Sequence, residues 1–263
     1  MAKNERGVKY MWTREELKTR GKTALHRNYW ITVLVTFVLS LLTGGFNSGR
    51  NAGETVGDIL KESDGGVTDV IQTVGATIFA VGLLFLIIWG IVFLIARIFV
   101  GNLFEIGCMR FYEENSERKA PFGLVVEGFR HGNYGKNVLT LFLRDLYTFL
   151  WTLLLIIPGI IKAYQYSMIP YILAENPDIS RERAFELSKI MMEGQVGAAF
   201  VLDLSYIGWE ILGAITLNIV NILYTNPYRQ SAWAELYKVN RQSVLDNGEA
   251  SYQELPGFTQ KYN

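Results

Sequence analysis

Hydrophobic and polar positions along this chain are sorted into blocks. Tyr29 to Leu42 carries no charge over 14 residues, and Val74 to Val100 carries only Arg97 over 27. Val138 to Ala174 is apolar apart from Arg144, Asp145 and Lys162, and Val196 to Tyr224 is interrupted only by Asp203 and Glu210. A helix needs about 20 apolar residues to cross the roughly 30 Å hydrocarbon core of a bilayer, so blocks of this length read as membrane spans. With Gly44, Gly45 and Phe46 added, the first block approaches that length. It follows too long a charged region, and lacks the small-x-small site, for a cleaved signal peptide, so it reads as a retained anchor.

The third and fourth blocks do not fit single spans. As one helix, the 37 residues from Val138 to Ala174 would be about 55 Å long, far more than the bilayer core. Pro158 and Gly159 are the obvious helix break, giving a helical hairpin, with a kinked helix projecting into the cytoplasm as the alternative. The 29 residues from Val196 to Tyr224 are long for one span and short for two. A turn through Leu204-Ser205-Tyr206-Ile207-Gly208-Trp209 would make two short tilted helices. The expected fold is therefore all-α: a polytopic transmembrane bundle of about six spans with short amphipathic interfacial helices, or five spans if the last block is one helix. Three segments follow: a basic cytoplasmic arm over 1–28, a transmembrane domain over 29–225, and a cytoplasmic helix and tail over 226–263.

The polar stretches supply the rest. Thr13-Arg14-Glu15-Glu16 is a capping-box pattern, after which Leu17, Gly21, Ala24 and Leu25 share one side of a helix suited to the headgroup layer. Residues 43–73, acidic and rich in glycine, read as an outer loop, and the mixed-charge 101–136 region as a cytoplasmic one. Asn176-Pro177 is expected to open a helix that ends at Gly194 and packs through Phe185, Leu187, Ser188, Met191 and Met192. Asn226-Pro227 opens another, with Trp233, Leu236, Tyr237 and Asn240 at helical spacing on an interfacial face. The polar tail from Asp246 reads as disordered.

Charge adds orientation. The totals balance, 25 basic against 25 acidic, but residues 1–28 hold eight Lys/Arg against three acids, which places that arm, and with six spans both termini, in the cytoplasm of a cell-membrane protein. The arm runs straight into an apolar span, so positive-inside retention explains it and nucleic acid is not an expected partner. Gly21-Lys22-Thr23 resembles the end of a phosphate loop, but position 16 is Glu where the motif needs Gly. With one cysteine, Cys108, and only His26 and His131, there is no disulfide, no histidine-built metal site and no cofactor motif.

Charges inside apolar blocks are costly, which makes Arg144, Asp145, Asp203 and Glu210 the candidate polar site. Asp203 and Glu210 stand two helical turns apart and would share a face. Arg144 and Asp145, adjacent in sequence, are expected not to face each other, so Arg144 would pair with Asp203 or Glu210 across helices. The competing reading places Arg144 and Asp145 near the cytoplasmic end of their span and Glu210 at the opposite interface, all hydrated. No pair of carboxylates or nucleophile with a base has a sequence signature, so an enzyme is not expected. The functional expectation is a non-catalytic membrane scaffold or accessory factor, contacting membrane lipids and a membrane or cytoplasmic protein. The alternative is a transport or export component using the intramembrane charges.

Several motifs also carry a family resemblance. Trp151 to Met168, with Pro158-Gly159 at its centre, then Ile172-Leu-Ala-Glu-Asn-Pro177, Ser188-Lys-Ile-Met-Met-Glu-Gly194, Leu204 to Trp209 and Asn226-Pro-Tyr228 together resemble the bacterial integral membrane family known as domain of unknown function 975. A fainter likeness extends to the membrane domain attached to some glycerophosphodiester phosphodiesterases. The first resemblance implies a multi-span protein of the cytoplasmic membrane. It implies no reaction.

Overall fold

A computed structural model describes residues 12–43, 67–130 and 133–257. The first part of the basic arm, most of the 43–73 loop, His131 and the end of the tail lie outside the described residues. Among the described residues the chain is all-helical.

Helix α1 (Arg14–Arg27) starts at the capping pattern, with the Thr13 hydroxyl accepting from the Glu16 N–H at 3.2 Å. Leu17, Gly21, Ala24 and Leu25 are its buried strip. That strip meets protein and not lipid headgroups. It packs on α11 (Asn226–Asp246), where a Cβ on Gly21 would fall 2.9 Å from the Cα of Ala232. The interfacial role expected for α11 is likewise replaced, since Trp233, Leu236, Tyr237 and Asn240 are buried against α1, α4 and α8. Both helices looked interfacial because an amphipathic strip has the same pattern whether lipid or another helix covers it.

Helices α2 (Tyr29–Thr43) and α3 (Val67–Ala96) are the first two apolar blocks. From α3 the chain continues through a π-helical turn, Arg97–Gly101, into α4 (Asn102–Glu117). One continuous helical run thus has two opposite environments. Every residue from 76 to 96 is exposed, whereas α4 is buried from Ile106 to Ser116 at the centre of the core. This corrects the reading of 101–136 as a loop: Arg110, Glu113 and Glu114 are buried in a core helix, and a 3-10 helix, Phe122–Phe129, packs closely over α4.

The third block is a hairpin of α5 (Tyr134–Leu154) and α6 (Ile156–Gln165), but Pro158-Gly159 is not its break. The reversal is at Leu155, in extended conformation with φ −155° and ψ 130°. Pro158 lies in the first turn of α6, where a helix needs no N–H donor. Gly159 serves contact: a Cβ there would lie 2.5 Å from the Cα of Thr152 on α5. α7 (Ile169–Glu175) follows and is wholly buried.

Helix α8 (Arg181–Met192) is capped by Ser180, whose hydroxyl accepts from the Arg183 N–H. Asn176 instead ends α7, its side chain accepting from the Asp178 N–H at 3.0 Å, so the expected start at Asn176-Pro177 is displaced by an Asx turn. Gly194, at φ 69°, follows the helix end as expected. α9 (Val196–Leu204) and α10 (Ile207–Ile215) form one kinked run through Ser205 and Tyr206. The turn expected over Leu204–Trp209 is that kink, because both connecting residues keep near-helical dihedrals. The true reversal comes at Leu217 and Asn218, with φ 52° and 68°, before a second π-helical turn, Asn221–Thr225, leads into α11.

Two helical runs among the described residues are long and apolar enough to cross a membrane, Gly75–Glu117 and Val196–Ile215. Six such spans are not found. α2 has a shorter apolar stretch, and the 10 residues of α6 extend only about 15 Å, half of the hydrocarbon core. The tail also differs from expectation. Ala250 and Leu255 are buried, Glu254 pairs with Arg183 at 2.7 Å, and the Gly257 N–H donates to Glu175 at 2.6 Å, so residues 250–257 are docked on the core.

Candidate functional site

Where exposed α3 enters the buried body, an open groove of ≈ 380 Å³ is walled by Arg97 from the π-helical turn, by Arg144, Asp145, Thr148, Phe149 and Thr152 from α5, and by Ala163 from α6. The wide turn of a π-helix at such a junction often marks a functional position. Residues 78–96 of α3, leading to it, are apolar on every side, and Phe149 and Leu150 are exposed on α5. Below it, Tyr134 donates its hydroxyl to the Phe99 carbonyl at 2.7 Å and joins the start of α5 to the π-turn. The groove therefore sits at the boundary between the apolar projections and the polar body.

Its charges are unequally held. Arg144 forks onto Glu105 of α4 at 2.6 and 3.0 Å and also folds back onto Asp145 at 2.7 Å. Its side chain is 12% exposed and that of Glu105 13%, so this pair is structural and desolvated. Arg97 and Asp145 are 30% and 32% exposed and meet at 3.4 Å, the long end of an ion pair. Thr148 and Thr152 donate to the carbonyls one turn back, at 2.8 Å each, leaving their oxygens as acceptors at the groove. The charged lining is thus Arg97 on one side and, on the other, Asp145 backed by the Arg144–Glu105 pair.

Asp203 and Glu210 lie elsewhere. Both face α11, yet neither meets Arg144. Asp203 accepts from the Tyr164 hydroxyl at 2.8 Å and from the Trp233 indole at 2.9 Å, with those two rings stacked 6.0 Å apart. Glu210 pairs with Arg229 at 2.9 Å, near a cluster in which Trp209 and Tyr224 rings are 5.0 Å apart and Tyr224 and Tyr228 rings 5.6 Å. The expected Arg144 pairing with these carboxylates is not formed. The expectation that Arg144 and Asp145 cannot face each other also fails, because an arginine is long enough to fold back onto the next residue.

Sequence reasoning missed Glu105, which was read as part of a loop. Its spacing of eight residues from Arg97 on one continuous helical run was the available signal. It also missed Glu175, fully buried and accepting from Arg241, the Tyr237 hydroxyl and the Gly257 N–H. Beside that cluster, burial and the Glu175 carboxylate push the Tyr237 hydroxyl well above its ordinary range.

Among known families, the model described as "Protein of unknown function (DUF975)" matches residues 152–243, from the end of α5 to α11. No curated protein and no solved structure matches the chain.

Proposed function

We propose, for a chain whose residues 152–243 match the DUF975 family model of unknown function, a non-catalytic scaffold or accessory protein embedded in the bacterial cell membrane. The observation that carries this reading is the surface of α3. From residue 78 to 96 every side of the helix is exposed and apolar, which water does not tolerate over such an area and lipid does. Exposed Leu153 to Ile157 at the α5–α6 reversal, and Ile215, Leu217 and Ile219 at the second one, extend the same apolar surface.

In this arrangement α3 and the α9–α10 run enter the bilayer with the tip of the α5–α6 hairpin, and the body stays in the cytoplasm, where basic α1 favours it. A non-catalytic role is favoured over transport because the intramembrane charges are engaged in fixed pairs: both oxygens of Asp203 accept from aromatic donors, and Arg144 is locked on Glu105. The test is twofold. Purified from native membranes in mild detergent, the full chain should retain a protein partner in fixed ratio, and reconstituted alone into vesicles it should not dissipate a proton or sodium gradient. Gradient loss that disappears in Asp203→Asn would establish the transport reading in its place.

A further inference from the structure

A cavity of ≈ 250 Å³ opens on the body where the C-terminal ends of α8 and α11 converge, with Met191 and Glu193 on one side and Ser243, Asn247 and Glu249 on the other. We propose that it receives the guanidinium of an arginine side chain presented by a partner protein. The inference deepens the scaffold reading by giving its partner a chemistry, and rests on that reading only for the source of the arginine.

The local field favours a cation. Both helices turn their negative ends to the cavity, Glu193 and Glu249 line it, and no lysine or arginine does. The cations nearby are engaged elsewhere. Lys189, in the last turn of α8, lies over the Tyr166 ring at 5.8 Å, and Arg183 is held by Glu186, Glu254 and the Glu249 carbonyl. Among the described residues neither the Glu193 nor the Glu249 carboxylate has an ion-pair partner.

The floor of the cavity asks for a donor. Asn240 lines it while being only 1% exposed, and its amide nitrogen donates to the Met192 sulfur at 3.7 Å. Met192 is not part of the lining, so the amide turns its oxygen to the cavity side, where that oxygen accepts no hydrogen bond. A buried oxygen without a donor is costly, and a donor entering through the cavity removes that cost. The acceptors also select the kind of cation. Among the described residues no group of three or more His, Cys, Asp or Glu could hold a metal ion. The acceptors stand apart, on α8, on α11 and on the turn after it, which a planar guanidinium with its fork of donors serves together and a compact ammonium does not.

The test is ligand-observed NMR of the full chain in detergent, titrated with a capped Ala-Arg-Ala tripeptide, its citrulline counterpart, which keeps the shape without the charge, or free butylguanidinium. The arginine peptide should bind about tenfold more tightly than the citrulline peptide. Glu193→Gln and Glu249→Gln should each weaken it about fivefold. Asn240→Leu, which fills the floor with an apolar group, should weaken it by a similar factor, about fivefold. Glu193 and Glu249 are exposed, so their variants should keep the parent's melting temperature, and unchanged binding in both would overturn the proposal. Equal binding of the arginine and citrulline peptides would overturn it too, as would displacement of the arginine peptide by an equal concentration of calcium, which would show a metal site. Butylguanidinium binding as tightly as the peptide would overturn the partner as the source and assign the cavity to a free small cation. Retention of a partner from native membranes reads the scaffold role separately, so failure there and failure here are distinguishable.

Discussion

At the scale of single residues, two desolvated carboxylates, Glu105 and Glu175, are each held by one arginine. Arg144→Ala would strand Glu105 in a desolvated contact and should cost about 3 kcal/mol, seen as a lower unfolding midpoint in detergent. Glu175→Gln should cost a similar amount, about 3 kcal/mol, because Arg241 loses its charged partner while Tyr237 and Gly257 keep a weaker acceptor. The tail titrates in a defined sense. Hydrogen bonding to Arg183 holds the Glu254 carboxyl below its ordinary value, so its contribution is fully present above the ordinary carboxylate range and is lost as pH falls through the lowered one. Glu235 has the opposite sign: burial raises its carboxyl, and its contribution falls as pH rises. A local readout therefore separates them. Amide protection across 250–257, taken relative to the intrinsic exchange rate at each pH, should fall as pH drops below the ordinary carboxylate range, and Glu254→Gln should show that lowered protection already at pH 7. Of these residues the sequence exposed Arg144 as costly but not its partner, because Glu105 is 39 positions away and its segment carries enough charge to pass for a loop.

At the scale of elements, helix starts and apolar blocks were legible and reversals were not. Thr13 and Gly194 acted as their chemistry predicts, since a cap and a left-handed glycine are local matters. The hairpin break was misplaced by three residues because proline both ends helices and begins them, and here it begins one. The two residues thus separate experimentally. Pro158→Ala should leave the hairpin intact and shift stability by less than about 1 kcal/mol. Gly159→Val should force α5 and α6 apart at Thr152, at a cost of about 2 kcal/mol, and widen the distance between spin labels at 148 and 163. Equal effects of the two substitutions would restore Pro158-Gly159 as the break. The second reversal needed Leu217 and Asn218 at positive φ, which asparagine tolerates but leucine does not advertise.

At the scale of the whole molecule, one pattern has two causes. Apolar strips on α1, α8 and α11 are covered by protein, whereas the apolar surface of α3 and of the two reversals is left uncovered, and single-sequence periodicity does not distinguish them. Burial does. The groove at the junction and the Trp209, Tyr224 and Tyr228 cluster beside Glu210 and Arg229 mark places where uncovered surface meets packed body, as aromatic and charged belts do at a bilayer interface. The decisive measurement is spin-label accessibility in bilayers, with labels placed one at a time at Leu86, Ile157 and Leu217, and at Glu182 and Gln242 on the body. Embedding predicts that the first three collide with oxygen and are shielded from a water-soluble relaxant, and that the last two show the reverse. Free access of the water-soluble relaxant to Leu86, Ile157 and Leu217 would contradict it.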